Sequence, residues 1–132
     1  MINVKHWDHV LPAQWHWKNF TPREMACSHC NALILDEEAM NRLQAARWDY
    51  GRSIIIARAY SCEEHNIAVG GAKDSAHPRG TAFDPYPATS GNLAEMLESF
   101  YKVGWLGYGM GAGKLHFDYD LKLGKRAWYY GK

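Results

Sequence analysis

No stretch of the 132-residue chain approaches the ~20 consecutive apolar residues that a membrane-spanning helix requires. The first ten residues place Lys5, His6, Asp8 and His9 among their apolar neighbours, so the apolar core of a secretory leader is missing too. Synthesis in the cytoplasm is expected, and work outside it would need cell lysis, assembly into a particle or another leaderless route. Charge of one sign is lacking: fifteen Lys and Arg face fourteen Asp and Glu, a formal net charge of +1. That excludes the strong positive field of a dedicated nucleic-acid binder. Cysteine is scarce and odd in number, at three, which makes no disulfide framework and suits a reducing compartment. Only five prolines accompany twelve glycines, and 47% of residues are apolar, which excludes a disordered chain, a collagen-like repeat and a coiled coil.

What remains fits one compact domain over residues 1–132, read as a monomer that binds neither membrane nor nucleic acid. Residues 1–20 form an irregular aromatic arm, with Trp7, Trp15, Trp17 and Phe20 interleaved with His6, His9 and His16. Its rings are expected to fill core surface rather than to stack on sugars or bases. Thr21-Pro22-Arg23-Glu24 is a helix-start signal. The first long helix is expected from Asp36, its N-cap, to Tyr50, with Met40, Leu43 and Ala46 at helical spacing and Gly51 as the stop. A second spans about Gly91 to Val103, capped by Ser90, with Leu93, Met96, Leu97, Phe100 and Val103 on one apolar face. Ser53 to Ala57, Ala82 to Asp84, Trp105 to Met110, Leu115 to Tyr119 and Ala127 to Tyr130 read as short strands. Helices early and strands late predict an α+β fold, a small antiparallel sheet with flanking helices.

The chemistry is concentrated in Ser75 to Asp84. His77 and Asp84 stand seven apart with Pro78 and Gly80 between them, so a loop leading into a strand, not a helix face, brings them together. Gly80 permits the tight turn and Ala82 leaves space beside the site. Imidazole nitrogen and carboxylate oxygen both suit Zn²⁺, and a third ligand must come from elsewhere. His116 is the best donor, because on a strand it shares a face with Asp118. Each histidine alone reads as an ordinary satisfied polar residue; the combined spacing of His77, Asp84 and His116 points to a zinc site with an open position.

These residues resemble a known family. Ser-x-His-x-x-Gly-x-Ala-x-Asp over Ser75 to Asp84, followed by the strand-borne His116-x-Asp118, is similar to the zinc D-alanyl-D-alanine carboxypeptidases and their endolysin relatives. Phe20 to Asn31 resembles the opening segment of a small phage-endolysin-like branch. Tyr60 to Asn66 with Val69 to Ala72 resembles the turn before the His motif, and Arg126-Ala127-Trp128 the closing strand. The resemblance implies the hedgehog/DD-peptidase fold, with His77, Asp84 and His116 as ligands of a Zn²⁺ cofactor. It also implies hydrolysis of peptide bonds in peptidoglycan stem peptides, as a D-Ala-D-Ala carboxypeptidase or a stem endopeptidase, in cell-wall degradation by a phage lysis or virion component.

Two positions depart from the family pattern. Gly113 and Lys114 stand where several branches carry a Glu or a second His before the last ligand, and Ser61 stands where Arg is usual. Asp118 is the substitute candidate for general base, or else it orients a ligand. Arg58 or Arg79 would supply the cation that stabilises an oxyanion or binds a substrate carboxylate. The alternative function is a catalytically silent, metal-bearing module for cell-wall binding or phage particle assembly.

Two further motifs are weaker. Cys27-Ser28-His29-Cys30, with Cys62 and His65, has the residue types of a Cys₃His zinc site. The second pair is irregular, so the cysteines are read as small buried hydrophobes or one opportunistic disulfide. Gly107 to Gly113, GYGMGAG, lacks a Walker lysine followed by Ser or Thr and is read as a flexible rim of the metal site.

Overall fold

The computed structural model describes residues 1–86 and 89–131, the side chain of Ser90 excepted. In chain order the elements are β1 (Ile2–Val4), α1 (Pro22–Met25), β2 (Leu33–Leu35), α2 (Glu37–Tyr50), β3 (Ile56–Arg58), α3 (Glu63–Ala68), β4 (Ala82–Pro85), α4 (Ser90–Lys102), β5 (Gly107–Gly111), β6 (Lys114–Asp118) and β7 (Arg126–Tyr129). A single turn of 3-10 helix, His77–Arg79, precedes β4. This is the α+β architecture expected, small sheets with flanking helices.

Local signals act as their chemistry predicts. Thr21 Oγ1 accepts from Glu24 N and the Glu24 carboxylate accepts from Thr21 N, a reciprocal capping box with Pro22 in the first turn. Asp36 caps α2 through Ala39 N at 2.9 Å, an interaction of about 1 kcal/mol, and Gly51 ends the helix in the left-handed region at φ 74°. The cap of α4 lies one residue earlier than expected: Thr89 accepts from Asn92 N, and Ser90 is the first helical residue. Cys62 caps α3, a six-residue helix the sequence pattern did not announce.

The main sheet has the order β3-β4-β6-β5-β7, and β1 pairs with β2 in a separate ribbon. Its pairs are antiparallel except β5–β7, which is parallel and departs from the expected all-antiparallel sheet. The core face carries Phe83, Leu115 and Phe117, on which α4 lays Met96 and Phe100, the Phe100 and Phe117 rings stacked at 3.7 Å. Trp105 closes the same layer, and α2, with Met40 and Leu43 in the core, packs alongside α4. In the arm, Ile2, Trp17 and Phe20 are buried in this core, so its rings are packing elements. Among the described residues, no helix is long and apolar enough to cross a membrane.

The strand starts differ slightly from the pattern. Ser53 to Ile55 lead into β3 rather than belonging to it, and Trp105 and Leu106 precede β5. With helices filling the core face, the opposite face is free to carry polar chemistry.

Candidate metal centre

The site is a row of residues running across five strands. The pairing register sets Arg58 of β3 opposite Asp84 of β4. On the far side of β4, Ala82 faces Asp118 and Phe83 faces Phe117, so the same register carries Asp84 to His116 of β6. His116 then faces Gly109 of β5, and Gly109 faces Trp128 of β7. A second row lies beside the first: Ala82, Asp118, Gly107 and Arg126.

Glycine makes these rows work. A Cβ on Gly109 would stand 2.5 Å from the Trp128 ring, and one on Gly107 would stand 2.4 Å from the Asp118 carboxylate. With both positions bare, Trp128 reaches across β5 to put its ring 5.2 Å from that of His116. Arg126 reaches Asp118 with two parallel bonds, Nη1–Oδ1 at 3.0 Å and Nη2–Oδ2 at 2.8 Å. The segment expected as a flexible rim is therefore mostly strand β5, whose alternate glycines give its site face room; only its end, with Gly113, lines the cleft.

His77 enters from the turn before β4. Ser75 Oγ accepts from His77 N at 3.2 Å, and Gly80, at φ 75°, passes so close to β2 that a Cβ would meet the Ile34 carbonyl oxygen at 2.4 Å. Only glycine fits there, which confirms the tight turn expected of Gly80.

The three expected ligands converge, with one donor atom from each of His77, Asp84 and His116 lying within 4.8 Å of the others. Asp84 Oδ1 is 2.8 Å from His116 Nδ1 and 3.2 Å from His77 Nε2. The outer nitrogens are committed elsewhere: His77 Nδ1–H donates to the Ala59 carbonyl at 2.6 Å, and His116 Nε2–H donates to Asp118 Oδ2 at 2.8 Å. In the neutral rings, the two inner nitrogens thus turn lone pairs toward a carboxylate, an arrangement relieved by a proton or by a metal cation between them. Two imidazole nitrogens and one carboxylate oxygen, with the remaining side open, form the donor set of a catalytic zinc. Without an ion, His116 is held above its ordinary pKa, since bonds to Asp118 and Asp84 outweigh burial. Asp84 is held well below the usual carboxylate range, with bonds from His116 and His77 again overcoming burial.

The cleft in front of these atoms encloses about 800 Å³ and is lined by Arg58, Gly70 to Ala72, Tyr86, Gly113, Lys114, Arg126, Trp128 and Tyr130 among others. Arg58 is held from behind: Nε donates to Ser61 Oγ and Nη2 to Asn66 Oδ1, both at 2.8 Å, while Nη1 lies 4.0 Å from Asp84 Oδ2. Ser61, where the family pattern has Arg, is thus the residue that seats Arg58.

The other two candidates lie elsewhere. Arg79 turns away to Asp120 and Asp74, with Nε–Oδ2 at 2.8 Å and Nη1–Oδ1 at 2.9 Å, and does not line the cleft. Asp118 is 0% exposed and stands behind His116, with its oxygens taken up by His116 and Arg126. That position orients His116 and offers no free oxygen to a water in the cleft. Arg126, Trp128 and Tyr130 were not singled out as site residues from sequence. The signal that could have found them is the period-two glycine pattern, which marks a bare strand face.

A model of the peptidase M15 family matches residues 18–118. The chain belongs to the peptidase M15 family. The match spans the capping box, the cysteine turn, the His77 motif and β6, and so takes in all three convergent ligands. The comparison with curated proteins gave no match. As an M15 peptidase the chain is a metallopeptidase, and zinc is the metal its donor set fits.

Proposed function

We propose that this M15 peptidase hydrolyses peptide bonds in peptidoglycan stem peptides through a zinc ion held by His77, Asp84 and His116. The observation that carries the reading is the row Arg58–Asp84–His116: a fixed cation on the cleft wall beside a convergent nitrogen and oxygen donor set. Stem peptides carry D-residues and free carboxylates, the groups such a cation suits.

Bound zinc supplies a Lewis acid for the scissile carbonyl and lowers the pKa of a water toward roughly 7. The remaining roles belong to the chain. Arg58, with Nε and Nη2 tied to Ser61 and Asn66, keeps Nη1 for the substrate carboxylate or the developing oxyanion. Asp118 fixes the tautomer and the plane of His116, and Arg126 fixes Asp118. Ala59 does the same for His77 through its carbonyl. Trp128 walls the cleft beside His116 and limits water. Arg79 is assigned to the scaffold.

The second reading, a silent metal-bearing module for wall binding or phage particle assembly, is favoured by one observation. The rim positions Gly113 and Lys114 bring no carboxylate to the cleft. Mass spectrometry of purified muropeptides incubated with zinc-loaded protein, beside His77→Ala, separates the readings. Loss of a terminal D-Ala by wild type alone makes it a carboxypeptidase, and a split within the stem makes it an endopeptidase. Unchanged muropeptides across several wall types, with wall binding retained, leave the module.

A further inference from the structure

The cysteines expected to be small buried hydrophobes or one disulfide form a second cluster, with one sulfur each from Cys27, Cys30 and Cys62 lying within 4.8 Å of the others. All three are free, and Cys30 is exposed, so hydrophobic filling does not explain them together. Cys27 Sγ and Cys62 Sγ are 3.8 Å apart. Ligands at about 2.3 Å around a tetrahedral zinc stand about 3.8 Å from one another, whereas bonded sulfurs lie about 2.05 Å apart.

The backbone around the cluster is shaped for thiolates. Cys27 to Ala32 is a tight turn, with Asn31 N donating to Cys27 O at 2.8 Å and Cys27 N to Ala32 O at 2.9 Å. The turn closes through Asn31 in the left-handed region at φ 64°, which asparagine tolerates. Amide groups point at the sulfurs: Cys62 N lies 3.5 Å from Cys27 Sγ, and His65 N lies 3.4 Å from Cys62 Sγ. The His65 ring rests against the same turn, with Nε2 3.3 Å from Ser28 Oγ.

We propose that Cys27, Cys30 and Cys62 bind a second, structural zinc ion, with the His65 ring, which lies beside the turn but outside the sulfur cluster, turning in as the fourth ligand. Soft thiolates select such a metal over Mg²⁺ or Ca²⁺, and each thiol releases its proton to solvent on binding. The ion would tie the turn after α1 to the segment from Ala59 to Asn66, already joined by Tyr60 N to Met25 O at 3.0 Å. That segment carries the Ala59 carbonyl that holds His77 and the Ser61 and Asn66 side chains that hold Arg58. The second ion would thus brace the cleft without lining it.

The test is metal content and the cobalt spectrum of the full-length protein, prepared under reducing conditions. Wild type should hold two zinc equivalents, and Cys30→Ser and His77→Ala one each. Cys30 is exposed, so its serine variant should fold, and its retained equivalent at the His77 site reports that it has. The Co²⁺-loaded protein should show a sulfur-to-metal charge-transfer band that persists in His77→Ala and disappears in Cys30→Ser. His65→Ala should keep the band and bind zinc at least tenfold more weakly; unchanged affinity overturns the assignment of His65. A wild type with one equivalent and no thiolate band, or one with two cysteines joined in a disulfide, overturns the site. The inference does not rest on the peptidase reading, since the band and the muropeptide products are measured separately.

Discussion

Asp118 stands 2.8 Å behind His116, wholly buried, and is clamped on its far side by the two-bond contact with Arg126. Asp118→Asn keeps the shape but weakens the acceptor for His116 Nε2–H and the anchor for Arg126. Zinc affinity should fall about 10–100-fold, the usual effect of losing a partner that orients a metal ligand. Competition with a chromophoric chelator measures it. Activity restored in full by saturating zinc would assign Asp118 to positioning; activity still absent in the fully loaded variant would return it to proton transfer.

Gly109 is expected to be intolerant of the smallest side chain. Gly109→Ala puts a methyl 2.5 Å from the Trp128 ring, which must move away from His116. A cost of about 1–3 kcal/mol is expected from such overpacking, read as a lowered midpoint in urea. Gly113→Ala is the control for space, since nothing lies within 4 Å of its Cβ; its positive φ of 72° makes any loss there a backbone effect.

Arg58 lines the cleft beside Asp84, and Arg79 does not line it. Arg58→Gln should lower kcat/KM by about 10²–10³-fold, as expected for a donor to developing charge, with zinc content unchanged. Arg79→Gln should instead lower thermal stability and leave kcat/KM of the folded fraction near wild type. The reverse pattern would exchange their roles.

Asp120 gives the chain an acid-sensitive joint. It is buried, accepts from Arg79 Nε and Thr81 Oγ1 at 2.8 and 2.7 Å, and its carboxyl is held below its ordinary value because these bonds outweigh burial. A carboxylate with a depressed folded pKa contributes stability above its unfolded value, about 3.9, and that contribution is lost as pH falls through the folded value. Asp120→Asn should be less stable at pH 7 and lose less on acidification below about pH 4. Parallel urea titrations of the two proteins check both statements.

The His77–Asp84 turn and the long helices were legible because they are written locally, and His116 joins that pair by strand pairing. His77, Gly80 and Asp84 encode a turn and a strand, and Asp36 with Gly51 brackets α2. The partners across the sheet were not. Trp128 meets His116 only through the parallel pairing of β5 with β7, a tertiary choice that a four-residue run cannot announce. β1 and β2, three residues each, are too short for a periodic signal. The inward setting of Asp118 follows from bare Gly107 opposite it; alternation showed which face it shared with His116, but not what lay beyond. The cysteine residue types were legible as a possible Cys₃His set, but not their convergence, because 35 residues separate Cys27 from Cys62.

The proposed chemistry needs one ion at the head of the Arg58–Asp84–His116 row. An anomalous difference map recorded at the zinc edge on crystals of zinc-saturated protein tests it directly. A peak is expected about 2.0–2.2 Å from His77 Nε2, an Asp84 oxygen and His116 Nδ1, with its open side toward the cleft. A map with no peak there, and with Asp84 bonded directly to the two imidazoles, would contradict it.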